Sequence, residues 1–415
     1  MKKTDLTLEF GSSNRWQIEC SGAIASLVSR PGSVLGPSDV AALLAERLAS
    51  PIDFPSLDQM VLPGDSLVLA VDATLPCLET LVAEAAAWFC NKGTLPSNLA
   101  VVLAEGDEES QKRVSQSLEQ RLGEPVSVQI HDPDDSDQLA YLGANLEADA
   151  IYINRTIFDA DVVVPIMRTR ATNSLDDFGS FSIFPLLSDR ATIGQFFRLS
   201  SLSKPAGRKK LRAWAEEAAQ CTGFMTTIQV IPAGNEMFVD ILVGANLMVK
   251  EAAQRQMAEA WIQSDVMPES ELVLALIDGC SNHSWRGIAR VLWAAEQQVR
   301  SGGSLVICSE ANLRVGGSVG RLRAVEEMGE DLLQKINNDS SDDAIAAALL
   351  QRITESRHVY LVSRTSKDVL ESLGIGAIEN ESELQHLIAQ FDSVGVLESA
   401  SNCAALLPAS DRAST

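Results

Sequence analysis

A chain of 415 residues is too long for one ordinary domain, and two or three are expected. Its 46% apolar and 21% charged residues mark a globular protein, and no apolar run reaches the ~18 residues that a membrane helix needs. A net charge of −23, from 33 basic and 56 acidic side chains, would repel phosphates over most of the surface and excludes nucleic acid as a partner. The opening MKKTDLTLEFGSS lacks the apolar stretch of a signal peptide, so a cytoplasmic location is expected.

In chain order, SLVLAVD (66–72) predicts a strand and LETLVAEAAAWFCNKG (78–93) an amphipathic helix stopped by glycine. NLAVVLA (98–104) predicts a strand, EESQKRVSQSLEQRLG (108–123) a helix, and 126–130, 150–154 and 160–166 further strands. The stretch 188–222 reads as helical, 223–244 as a hairpin around AGN, and 245–265 as a long helix. MPES (267–270) has turn chemistry, after which ELVLALID (271–278) restarts the alternation. A helix over 285–300, a strand at 304–309, helices over 318–330 and 342–355, a strand at 358–364, helices at 366–373 and 381–391, and a strand in SVGVLESA complete it. Strand–helix alternation of this kind implies parallel α/β layers. The expected division is an N-terminal α/β domain over 1–266, a smaller C-terminal α/β domain over 267–392, and a tail, 393–415, returning to the first domain.

Few motifs carry chemistry. IHDPDDSDQL (130–139) suggests a metal loop, yet an EF-hand with Asp132, Asp134 and Ser136 as ligands needs Gly at position six and Glu at twelve, where Asp137 and Gly143 stand. The alternative is a solvated loop in which aspartates cap backbone amides. Of the four histidines, His358 and His386 read as structural, and Cys280 with His283 gives only half a zinc site. RVGGSVGR (314–321) could cradle an anion ahead of a helix or be a plain loop. The seven cysteines include no C-x-x-C, and reduced, buried thiols are expected.

Several phrases together resemble one family, the nickel-pincer-dependent lactate racemases and their 2-hydroxyacid racemase and epimerase relatives. VDATLP (71–76) looks like the family's D-x-T-R-P. IHDPDDSDQLAYLGANLEADAIYINRTIFDADVVVPI (130–166), IFPLLSDRATIGQFF (183–197), FVDILVGANLMVKEAAQ (238–254) and AAEQQVRSGGSLVIC (294–308) resemble further segments in the correct order. The resemblance implies two α/β domains with mainly parallel sheets facing a central cleft. It also implies a nickel-holding pyridinium dithiocarboxylic nucleotide tethered to a lysine, a histidine as further nickel ligand, and two acid/base histidines.

The residues depart from that pattern. Asp72 and Thr74 are kept, but the anion-clamping arginine is Leu75, and Glu108 stands for one acid/base histidine. The second acid/base histidine falls near Ala171, the tether lysine on Phe181 and the nickel-ligand histidine on Phe197. No lysine occurs between 156 and 203, and His131 is the only histidine before His283. The family's substrate-holding tyrosine and lysine fall on Arg286 and Arg290, four apart on one helix face.

The reading that follows is a divergent homologue without nickel-pincer racemisation, with no cofactor and no metal. A small carboxylate or phosphate is expected in the cleft, held by Thr74, Arg168, Arg170, Arg286, Arg290 and His283. Asp72 and Glu108 are weak catalytic candidates. Two alternatives stay open: an active 2-hydroxyacid racemase or epimerase with the pincer held non-covalently, and a scaffold that binds a partner. Catalysis, the ligand and the oligomeric state are left open.

Overall fold

The fold is taken from a computed structural model, in which residues 4–20, 22–263, 269–279, 283–324 and 334–403 are described. The chain opens with strands β1 (Thr4–Phe10), β2 (Asn14–Cys20) and β3 (Ala23–Ser29). It continues through β4 (Leu67–Asp72), β5 (Leu99–Ala104), β6 (Ser127–Ile130), β7 (Leu139–Ala144), β8 (Ala150–Asn154) and β9 (Val162–Arg168). Then come β10 (Thr226–Gly234), β11 (Met237–Ala245), β12 (Ile262–Gln263), β13 (Ser270–Leu276), β14 (Val299–Cys308), β15 (His358–Val362), β16 (Gly376–Ile378) and β17 (Ser393–Leu397).

The first large sheet has the order β11-β10-β9-β4-β5-β6, parallel except for the β10–β11 hairpin. All six residues of β4 are buried, as a continuous apolar run in the middle of a parallel sheet requires. The helices Leu78–Asn91 and Glu108–Leu122 cross one face and close a core of Leu81, Val82, Phe89, Val114 and Leu118 against β4 and β5. The second of these helices starts where Asp107 and Ser110 cap each other's amides (2.8 Å each) and stops at Gly123, whose φ of +77 suits glycine.

The second sheet has the order β12-β3-β17-β13-β14-β15-β16, parallel but for β12. Two corrections to the expected division arise here. The strand of the tail does not return to the first sheet: β17 lies between β3 and β13. Four of its five residues are buried, and such a strand needs a neighbour on each side. Residues 4–29, assigned no elements from the sequence, supply β3 to this same sheet, and the β1–β2 hairpin lays Leu8, Phe10, Ile18 and Cys20 on its outer face. The helix expected over 285–300 ends at Ala295, and β14 begins at Val299, running through Gly302 and Gly303. The boundary expected at 267–270 and the helix expected to 330 lie largely outside the described residues.

In each sheet the chain leaves a central strand in one direction and later returns to its other side. The switch falls between β4 and β9 in the first sheet and between β13 and β17 in the second. Ligand crevices of open α/β sheets form beyond the carboxyl ends of strands at such points. Here the two points face each other: Arg168, the last residue of β9, donates to Asn402, and Asn402 in turn donates to Asp278 just past β13.

Candidate functional site

The facing strand ends carry a dense ionic assembly. Asp72 closes β4 and turns its Oδ1 back onto Thr74, accepting from the amide (2.9 Å) and the hydroxyl (2.6 Å). Its Oδ2 accepts from Arg170 Nη2 at 2.7 Å. Arg170 Nε reaches Asp176 Oδ2 at 3.1 Å, and the same oxygen takes Arg290 Nε at 2.9 Å. Arg290 Nη2 meets Glu105 Oε2 at 2.5 Å, and Arg286 Nη1 meets Glu105 Oε1 at 2.9 Å. Arg286 Nη2 goes on to Asp342 (2.8 Å), which also pairs with Arg190, and Arg190 forks onto Asp134 (2.6 Å). Nine side chains thus alternate in sign from Asp72 to Asp134. Arg286, Arg290 and Asp342 come from the second unit and the rest from the first, so the chain of pairs stitches the cleft.

Burial alone would raise the carboxyl of Glu105, but the charges of Arg290 and Arg286 outweigh it and hold it at about 2. Asp176 is likewise held at about 2, burial being overcome by Arg170 and Arg290. Both acids stay ionised at neutral pH and serve as counter-ions rather than proton carriers.

Each residue singled out from the sequence can now be placed. Asp72, Thr74, Arg168, Arg170, Arg286 and Arg290 do converge on the cleft and are all buried. The cations expected to hold an anion are not free, however: Arg170, Arg286 and Arg290 each pair with two carboxylates. Glu108 is exposed in the first turn of its helix and stands outside the assembly, because a first-turn side chain there points to solvent. The buried acid is instead Glu105, turned inward at the end of β5 by a left-handed φ of +58. His283 stands on the cleft wall; its Nδ1 lies 2.9 Å from the Ser309 hydroxyl and accepts from Glu310 N–H at 3.3 Å. Cys280, its suggested zinc partner, lies outside the described residues, and no group of three metal-ligating side chains occurs among those described.

Sequence reasoning missed Glu105, Asp176, Asn402 and Asp342. Glu105 carries a usable signal, an acid directly after a parallel strand. Asp176 sits in an irregular segment, and no spacing rule points to it.

Beside this assembly lies a cavity of about 720 Å³, walled by Thr74, Leu75, Glu236, His283 and Arg286 among others. Its lining has six carboxylates, Glu79, Glu105, Asp107, Glu236, Asp342 and Asp343, against two guanidiniums, Arg113 and Arg286. All six have partners: Glu105 and Asp342 belong to the ionic chain, Glu79 pairs with Arg113 at 2.5 Å, Asp107 caps Ser110 N–H, Glu236 accepts from Cys77 N–H at 2.5 Å, and Asp343 accepts from Ser318 N–H and Val319 N–H. The anion cradled by the glycine-rich RVGGSVGR is therefore the protein's own Asp343. Burial raises the Glu236 carboxyl above its ordinary value, so it takes up a proton more readily than a free glutamate.

The residues do not fit a lysine-tethered nickel pincer. Phe181, where the resemblance puts the tether lysine, is 1% exposed, with its ring edge-on to Phe224 at 4.6 Å and near Phe184. Phe197, at the nickel-ligand position, packs edge-on against Phe178 at 5.5 Å and under the Arg286 guanidinium at 4.8 Å. Phe178, Phe184, Phe196 and Trp214 complete one aromatic cluster. Leu75, in place of the anion-clamping arginine, is buried on the cavity wall. In IHDPDDSDQL, Asp132 caps the amide of Asp134 (2.9 Å), while His131 is buried between Ser188 O (2.8 Å) and the Asn154 amide (3.1 Å). The loop forms a structural corner, its aspartates capping amides and pairing with Arg190.

Residues 14–204 match the family described as the lactate racemase N-terminal domain. The fold is similar to that of the lactate racemase apoprotein from Thermoanaerobacterium thermosaccharolyticum, with a TM-score of 0.71 and 15% identity over 97% of this chain and 100% of that one. It is also similar to a protein from Thermotoga maritima, with a TM-score of 0.64 and 14% identity over 92% and 100% of the two chains. No curated protein matches the chain by sequence. The chain thus matches the lactate racemase N-terminal domain family through residues 14–204, and over nearly its whole length it carries a lactate-racemase-like fold.

Proposed function

We propose that this chain is a divergent lactate-racemase-like protein that does not racemise through a nickel pincer and that takes a small polar ligand in its cleft cavity. One observation carries the first part. The positions that the resemblance gives to the tether and the nickel ligand are Phe181 and Phe197, both buried in one aromatic cluster. Phenylalanine neither forms the tether nor ligates a metal, and no lysine lies nearby in sequence to take over.

The ligand reading follows from the charges around the cavity. A small carboxylate or phosphate suits free arginines, but the arginines here are neutralised by Asp72, Glu105, Asp176 and Asp342. A dianion entering the cavity would meet more carboxylates than guanidiniums. A hydroxyl-rich neutral molecule, or one bearing an amine, suits the same walls. Thr74 and Glu236 offer polar groups to hydroxyls, and the excess of acids over guanidiniums on the walls favours a cation.

The test is intact mass and nickel analysis of protein produced alongside the cofactor-synthesis enzymes, with lactate racemisation assayed on the same sample. The expected result is an unmodified mass, nickel far below one per chain, and no racemisation. Nickel near one per chain with racemisation of a 2-hydroxyacid would overturn the proposal.

A further inference from the structure

Arg168 is 2% exposed, among the largest fully buried side chains of the protein. Its guanidinium is satisfied only by neutral oxygens: Nε and Nη2 donate to Asn402 Oδ1 (3.1 and 2.6 Å) and Nη1 to Thr74 O (2.7 Å). Among the described residues it forms no ion pair, unlike Arg170, Arg286 and Arg290. A buried cation without a counter-charge is costly, and proteins pair such groups.

The missing charge has a place to sit. A void of about 10 Å³ lies where the two switch points meet, lined by Arg168, Arg170 and Arg290 together with Thr74, Gly287 and Ser401. That is room for about one water-sized sphere, too small for a phosphate. Arg170 and Arg290 both spend Nε and Nη2 on carboxylates, and no acceptor for their Nη1 groups occurs among the described residues. Gly287 belongs to the first turn of the 11-residue helix Trp285–Ala295, whose positive end adds to the field. The acids of the assembly are already shared by Arg170, Arg290 and Arg286, and Glu236 acts on Arg168 only from beyond ion-pair distance, which leaves Arg168 without a contacting counter-charge among the described residues.

We propose that this void is a buried halide site, filled by one chloride held between the guanidiniums of Arg168, Arg170 and Arg290. The ion supplies the counter-charge that Arg168 lacks and joins the ends of β9 and β13 across the cleft. The site is separate from the ligand cavity and does not depend on the function proposed for it.

Crystals of the full chain grown with bromide in place of chloride test the site directly. The expected result is a strong anomalous peak between the three guanidiniums. A peak that refines as water, with no anomalous signal, overturns the proposal. In solution, raising chloride at constant ionic strength against gluconate should raise Tm by roughly 2 °C or more. A halide-independent Tm would likewise count against it. Arg168→Met, checked for folding by circular dichroism, should lose both the bromide peak and the halide dependence. If that variant does not fold, the bromide peak of the unaltered protein decides alone.

Discussion

Arg290 is the keystone of the ionic chain, and Arg290→Met tests whether the pairs hold the cleft as drawn. The side chain is 5% exposed and bridges Asp176 at 2.9 Å and Glu105 at 2.5 Å. Methionine keeps the apolar stem and removes the charge. Removing one partner of a buried pair typically costs about 3–5 kcal/mol, because the other charge is left buried. Here each stranded carboxylate keeps a second guanidinium, Arg170 on Asp176 and Arg286 on Glu105. The expected loss therefore lies at the low end, about 3 kcal/mol, or roughly two decades in the unfolding constant. Urea unfolding followed by tryptophan fluorescence measures it. Adding Glu105→Gln should recover part of the loss, with a coupling of about 2 kcal/mol in the double-mutant cycle. A loss under about 1 kcal/mol with no coupling would mean that these pairs are solvated and that the cleft is not stitched by them.

Other outcomes follow from the same geometry. Phe181→Lys should not restore nickel binding and should cost well over the ~3–5 kcal/mol of an ordinary Phe→Ala, since it also buries an ammonium; nickel content and the urea midpoint check both. Glu105 and Asp176 have folded pKa values near 2, below their ordinary 4.5 and 3.8. Their stabilisation is fully present above about pH 4.5 and is lost as pH falls toward 2, so an acid titration should show stability dropping across that window, and a flat profile would contradict the pairing. Among the described cysteines, Cys221 is exposed, while burial pushes the Cys308 thiol up to about 12 and raises Cys403 as well. Maleimide labelling of the native protein should therefore modify Cys221 first and leave Cys308 and Cys403 unreacted until unfolding. Millimolar phosphate should leave Tm unchanged, and a clear rise would restore the anion reading of the cleft.

Much of the fold is legible in the sequence because its strands are apolar runs and its helices carry stop signals. SLVLAVD, NLAVVLA and HVYLVSR all become buried parallel strands within a residue or two of expectation. What sequence pattern does not carry is which sheet a strand joins. SVGVL is plainly a strand, but nothing local says that it inserts between β3 and β13. TDLTLEF and NRWQIEC do alternate, which is the pattern that the β1–β2 hairpin bears. For the site, the arginines are legible in the sequence and their carboxylate partners are not. Guanidiniums in a sequence look free, while the carboxylates that neutralise them come from a strand end (Glu105), an irregular segment (Asp176) and the far unit (Asp342).

The position of β17 has a consequence for how the molecule is made. The last described strand is interior to its sheet, hydrogen-bonded to β3 from the beginning of the chain on one side and to β13 on the other. A ribosome therefore delivers β14, β15 and the edge strand β16 before the piece that seats against the other side of β13. Until residues 393–397 emerge, β3 and β13 each present an open edge to solvent. Such edges invite pairing with other nascent chains, so a stalled or truncated product ending near residue 392 is the form most exposed to aggregation.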